Sequence, residues 1–145
     1  MSMGKWRNYS RKSSSSSSSS KSSGSSRRTS SGSKTSTVKA RSTAVSSARR
    51  KVSRSGGAKA FSYSLNLSGG KKYVGMTRDP VKRMQQHFSG RGSAATRSAK
   101  PVSVNHIHAC RSVSSAKKAE SIIYSKMSAY HGKSKVRGAG HTKRF

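Results

Sequence analysis

Carboxylates are almost absent from this chain: its 145 residues hold two acidic side chains, Asp79 and Glu120, against 32 Lys plus Arg, for a formal net charge of +30. That balance excludes a surface laced with salt bridges and attracts phosphate backbones of any sequence. Cysteine is equally scarce. Cys110 stands alone, which rules out an internal disulfide and a Cys-rich zinc module. No apolar run approaches the roughly 18 residues of a membrane-spanning helix, and the opening MSMGKWRNYS lacks the apolar core of a secretion signal. The expected setting is intracellular, in a nucleus or a virion, neither secreted nor at a membrane.

What is present divides near Gly56-Gly57. Residues 1–58 are dominated by Ser, Lys and Arg, with an unbroken Ser13–Ser20 run, 14 basic residues and no acid. Apolar residues are too sparse there to offset chain entropy, so the segment reads as a disordered basic arm adding sequence-blind DNA affinity. Trp6 and Tyr9 are candidates for stacking on bases. Serines beside Arg27-Arg28 and Arg49-Arg50-Lys51 are candidate phosphorylation sites. Residues 59–145 read as one compact domain with a basic, Gly-rich C-terminal tail.

Within that domain AFSYSLNL (60–67) alternates as a strand, Ser68-Gly69-Gly70 turns the chain, and KKYVGM (71–76) returns as the second strand of a hairpin. Asp79 is a natural N-cap and Pro80 fits the first helical position. Val81, Met84 and Phe88 form the buried stripe of that helix. Arg83 and His87, four apart, are expected together on the helix surface. A basic loop leads to a third strand, 102–110. A second helix runs from Ala116 to about Tyr130, capped by Ser114 or Ser115, with Ala116, Ala119, Ile123 and Met127 inward. The expected fold is α/β (α+β): a three-stranded antiparallel sheet packed with helices.

Glu120 lies about 40° from the centre of that inward face at about 100° per residue. In a chain nearly purged of carboxylates, the simplest need for one kept there is a divalent cation beside a polyanion. Together Tyr63, Tyr73, Arg83, His87 and Glu120 resemble the GIY-YIG endonuclease superfamily. The first motif is Phe61-Ser62-Tyr63, without the usual glycine, and the second Tyr73-Val74-Gly75. YVGMTRDPVKRMQQH is close to the family's second strand and helix. Gly90, Thr96-Arg97 and Pro101 resemble the UvrC-type and structure-specific branch, and the VRGAGHTKRF ending looks like stand-alone members of large DNA viruses. The likeness covers about residues 60–130.

The resemblance implies a metal-dependent DNA endonuclease, acting on branched, flapped or nicked DNA. Glu120 would hold one Mg²⁺ or Mn²⁺, and Arg83 would contact the phosphate. Tyr63 or Tyr73 would activate or orient the water. A tyrosine acts as base only where positive charge lowers its pKa, and the domain is rich in such charge. His87 is a competing base or the acceptor of the tyrosine proton. Lys72, Arg78, Arg97 and, in the tail, Arg137 and His141 are expected at the DNA backbone. Each residue alone has a structural role; the set carries the argument. A non-catalytic DNA-binding or virion structural protein, partnered by a capsid or packaged genome, is the alternative, and RNA binding is a third class. His106, His108 and Cys110 alternate on one strand face as zinc ligands would, but a fourth ligand is missing.

Overall fold

The computed structural model describes residues 26–145, with side chains from residue 36 onward. Trp6, Tyr9, the Ser13–Ser20 run and Arg27-Arg28 with their neighbouring serines lie outside what it describes in side-chain detail. The elements in order are α1 (Ser26–Arg54), β1 (Ala60–Leu67), β2 (Lys72–Thr77), α2 (Pro80–Phe88), α3 (Ala94–Ser98), β3 (Pro101–Cys110), α4 (Val113–His131) and β4 (Val136–Arg137). The sheet has four strands, in the order β3-β1-β2-β4, rather than the three expected. β1 pairs antiparallel with both β2 and β3. The added strand, β4, pairs parallel with β2 through Lys72–Val136 and Tyr73–Arg137. Two residues carry no periodicity, so only this pairing reveals the strand.

The central strand β1 is buried on both faces. Phe61, Tyr63 and Leu65 join Met84 and Phe88 of α2 and Ala44 and Ala48 of α1 in the main core. Ala60, on the opposite parity, packs with Cys110 and with Ala116 of α4. Ser62 and Ser64 share that parity and are also buried. A one-sided alternation was the expectation. Small serines instead let α4 approach closely, so the polar positions are interior too.

The largest departure lies at the N-terminal side. Residues 26–54 form a helix, whereas the arm was expected to be disordered through residue 58. Ala40, Ala44 and Ala48 recur every four residues and turn toward the core, where α1 packs against α2 and β3. A Ser-rich segment has little intrinsic helix drive. Tertiary burial of this small-residue stripe supplies the stability that local propensity lacks.

Two further differences are local. The loop expected between α2 and β3 contains α3, capped by Ser93, whose Oγ accepts from the Thr96 N–H. Helix α4 starts earlier than expected. Ser112, not Ser114 or Ser115, is its cap, with Oγ accepting from the Ser115 N–H at 3.1 Å. The Asp79 cap and Pro80 start of α2 are as read from sequence, with Asp79 Oδ1 accepting from the Lys82 N–H at 3.0 Å.

Candidate active site

β1, β2 and α2 bring Tyr63, Tyr73, Arg83 and His87 into one cluster. Tyr63 on β1 is opposite Gly75 on β2. A Cβ on Gly75 would stand 2.5 Å from Tyr63 Oη, so the glycine is what lets the phenol lie across the neighbouring strand. Arg83 Nε donates to Tyr63 Oη at 3.2 Å, and Tyr63 Oη lies 2.7 Å from His87 Nε2. The Tyr73 ring packs 5.2 Å from the His87 ring and 6.3 Å from that of Tyr63. Arg83 interacts with Tyr73 as well, and its Nη1 donates to Gln86 Oε1 at 3.1 Å.

His87 was expected on the helix surface beside Arg83, but α2 turns it inward under Tyr63 and Tyr73 and it is fully buried, so both ring nitrogens need partners. Nδ1 lies 3.0 Å from Thr96 Oγ1, and the Thr96 hydroxyl donates to Ser93 O at 3.1 Å. With that hydrogen so engaged, Thr96 Oγ1 accepts from Nδ1–H. His87 Nε2 then holds a lone pair and accepts from the Tyr63 hydroxyl. One assignment satisfies the whole chain of donors and acceptors, from Arg83 to the Ser93 carbonyl. Gly92 makes room for it, since a Cβ there would fall on His87 Nδ1 and Thr96 Oγ1. Sequence reading named Thr96 only as part of the family likeness and gave it no role. The available signal was its place three residues after a capping serine.

Burial sets the protonation states. Desolvation raises the Tyr63 phenol above its usual range, the Tyr73 oxygen adds to this, and Arg83 opposes it. Positive charge was expected to lower this group; burial outweighs it because the hydroxyl has no contact with solvent. The same burial, reinforced by Arg83, lowers His87 to about 3. At neutral pH the pair is therefore a neutral phenol facing a neutral imidazole.

Glu120 sits on α4, which covers β1 and β2, and its charge reaches the Tyr63 phenol. Desolvation raises its carboxyl, while the Ala139 N–H and Lys117 hold it down. Ala139 N donates to Oε1 at 3.1 Å. That donor comes from a tight turn, closed by Gly138 N–H to His141 O and His141 N–H to Gly138 O at 2.9 and 2.8 Å. Among the described residues no three His, Cys, Asp or Glu side chains are grouped as metal ligands. A lone, half-buried carboxylate with one oxygen held by a backbone amide nevertheless fits a hard cation that keeps most of its water.

The expected DNA contacts are spread unevenly. Arg78 is exposed and lines a shallow cleft of about 430 Å³ beside Arg83, with Lys82 and Gln86. Arg97 is exposed on α3, at the other end of α2. Lys72 Nζ donates to Asn66 Oδ1 at 2.6 Å. Arg137 Nη1 donates to the carbonyls of Lys133 and Val136 at 2.9 and 3.0 Å, and its guanidinium lies 4.9 Å over the Phe145 ring. Both of these cations have partners within the protein, whereas Arg78 and Arg97 face solvent. His141 is exposed and stacks on Tyr124 of α4, with ring centroids 5.4 Å apart. His106 and His108 stack on the exposed side of β3 while Cys110 is buried.

Residues 61–134 match the model of the GIY-YIG catalytic domain. A UPF0213 protein of Cupriavidus pinatubonensis is 43% identical over 60 residues, which are 41% of this chain and 67% of that protein. A UPF0213 protein of Cupriavidus necator is 41% identical over 44 residues, 30% of this chain and 48% of its own length. One from Fusobacterium nucleatum is 35% identical over 63 residues, 43% and 63% respectively. The chain thus spans between about half and two thirds of the length of these relatives. No solved structure matches it. A domain model that covers half the chain and encloses every residue of the Tyr–Arg–His–Glu set identifies the lineage: the chain belongs to the GIY-YIG family of nuclease domains.

Proposed function

We propose that the chain is a metal-dependent DNA endonuclease that hydrolyses phosphodiester bonds. The observation that carries this reading is the Tyr63 hydroxyl, shared between Arg83 Nε and His87 Nε2. A hydroxyl held between a fixed cation and a lone pair is arranged to move a proton, which sheet packing alone does not require.

In the free protein Arg83 lies over the phenol. A scissile phosphate offers its donors a better acceptor, charged and matched to the guanidinium fork. Arg83 then leaves Tyr63 Oη for the phosphate, and the phenol opens to a water. As the water attacks phosphorus, its proton passes to Tyr63 Oη and the phenol proton passes to His87 Nε2. The imidazolium keeps its Nδ1–H bond to Thr96. Pairing Arg83 with phosphate removes one of the two causes that depress His87, so its basicity rises when it is needed. Glu120 would hold a Mg²⁺ or Mn²⁺, which would supply neutralisation of the charge that builds up in the reaction. Arg78 and Arg97 line the DNA backbone on either side of the site. Preference for branched, flapped or nicked DNA rests on the likeness to the structure-specific branch.

The test is nicking of supercoiled plasmid in Mg²⁺ or Mn²⁺ by the wild type, Glu120→Ala and Tyr63→Phe, with forked and nicked duplexes alongside. We expect metal-dependent nicking by the wild type, and a loss of at least about 10²-fold in each variant, with DNA retention unchanged. Retention without nicking on any substrate would replace this reading with DNA packaging, the role expected of a particle protein.

A further inference from the structure

We propose that α1 is a second DNA-contact element, a rigid basic rod that lies along the phosphate backbone of a duplex away from the cut. Its inward stripe, Ala40, Ala44 and Ala48, seats it against α2 and β3. Small side chains bring the helix axis close to its neighbours, so its orientation is fixed relative to the site. Opposite that stripe, at about 100° per residue, Lys39, Arg49 and Arg50 cluster, with Arg54 and Arg41 on the two flanks, all five exposed. The helix contains no acidic residue. Both carboxylates of the chain lie elsewhere, Asp79 on the α2 cap and Glu120 on α4. Nothing within the helix neutralises this face.

Its dimensions suit duplex DNA. From Lys39 to Arg54 the helix advances about 22 Å at roughly 1.5 Å per residue, the rise of six or seven base pairs at about 3.4 Å each. Between the cations lie Ser42, Ser46 and Ser53, and short hydroxyls let a backbone approach. Ser42 Oγ donates back to Lys39 O at 2.9 Å, which leaves the surface low. Val38 and Val52 are also exposed on this helix, but they are two side chains among five cations, and polyanion complementarity is what the surface chiefly offers.

Fluorescence anisotropy on a 20-base-pair duplex in EDTA, across a salt series, reads the phosphate contacts directly. Arg41→Gln, Arg49→Gln, Arg50→Gln and Arg54→Gln are combined in the full chain. All four side chains are exposed, so the melting temperature stays at the wild-type value. Each lost phosphate contact lowers the slope of log affinity against log salt by about 0.9. The expected drop is roughly 2–4, with plasmid nicking at saturating protein unchanged. The double variant Arg49→Gln/Arg50→Gln shows about half of it and serves should the quadruple one fold poorly. A slope altered by less than about 0.5, or affinity lost equally at every salt concentration, overturns the proposal. So does an unchanged DNA slope accompanied by lost binding to phosphatidylserine vesicles, which would assign the face to a membrane surface. With EDTA present the readout requires binding but no cleavage, so failure of the nuclease reading and failure of this one are separately visible.

Discussion

At the scale of single residues, the site turns on which His87 nitrogen carries the hydrogen. Thr96 decides this by offering an acceptor to Nδ1–H while its own hydrogen is taken by Ser93 O. Thr96→Val removes the acceptor at little change in volume. We expect the tautomer to reverse, so that Nε2–H donates to Tyr63 and can no longer receive its proton. The ¹⁵N shifts of the His87 ring then exchange character, nicking falls at neutral pH with an altered pH profile, and stability drops by about 1–2 kcal/mol. Thr96→Ser restores all three. A stability loss with unchanged ring shifts and an unchanged pH profile would mean that Thr96 only packs. Tyr63, Tyr73, Arg83 and His87 were picked out in sequence by the family likeness, and periodicity added only the elements that carry them and the four-residue spacing of Arg83 and His87. The role of Thr96 was not, because it depends on a cap and on Gly92, neither of which has a period.

Among the elements, those with strong alternation or capping signals were readable: β1, β2, α2 and β3 lie within a residue or so of their expected bounds. The unreadable ones owe their form to neighbours. Helix α1 hides a four-residue alanine spacing in a Ser-rich background, and β4 exists through its pairing with β2. The turn after β4 is similar, and it carries strain. Ala139 has φ +48°, between Gly138 at +129° and Gly140 at +92°, and the left-handed region costs a non-glycine residue about 1 kcal/mol. Ala139→Gly should therefore raise stability by roughly 0.5–1 kcal/mol in urea unfolding, leaving the N–H bond to Glu120 and the nicking rate intact. Gly138→Ala should do the opposite, since a Cβ there would fall on the Val74 carbonyl. Equal stabilities for Ala139→Gly and the wild type would show that the turn bears no strain.

Over the whole molecule, the scarcity of carboxylates changes how acid acts. Most proteins unfold in acid when paired carboxylates are protonated; this chain has only two acids. His87 takes over that sensitivity. Its folded value is about 3, against about 6.5 when unfolded. Between those limits the unfolded chain binds a proton that the fold refuses, so stability falls as pH drops through the window. At about 1.4 kcal/mol per unit the full loss is on the order of several kcal/mol. Glu120 is raised, which favours the fold slightly on the acid side, but it is half-exposed and the smaller effect. Melting temperatures measured from pH 7 to pH 4 should fall steadily, and His87→Gln should flatten the curve. A wild-type curve already flat there would mean that the ring protonates inside the fold.

Strand β3 stands at the rim of the sheet, ten residues long, with neither Lys nor Arg along its length and with Val102 exposed. Rims of this kind usually carry their own charged gatekeepers against sticking edge to edge. Here mutual repulsion between whole molecules does that work, through a net charge of +30. Such protection is only as durable as the field itself. As a polyanion is titrated in, the repulsion vanishes at charge equivalence, and the β3 rims of neighbouring molecules can meet. Turbidity should therefore peak at the ratio where charges cancel and clear on both sides of it, with strand-rich material in the precipitate.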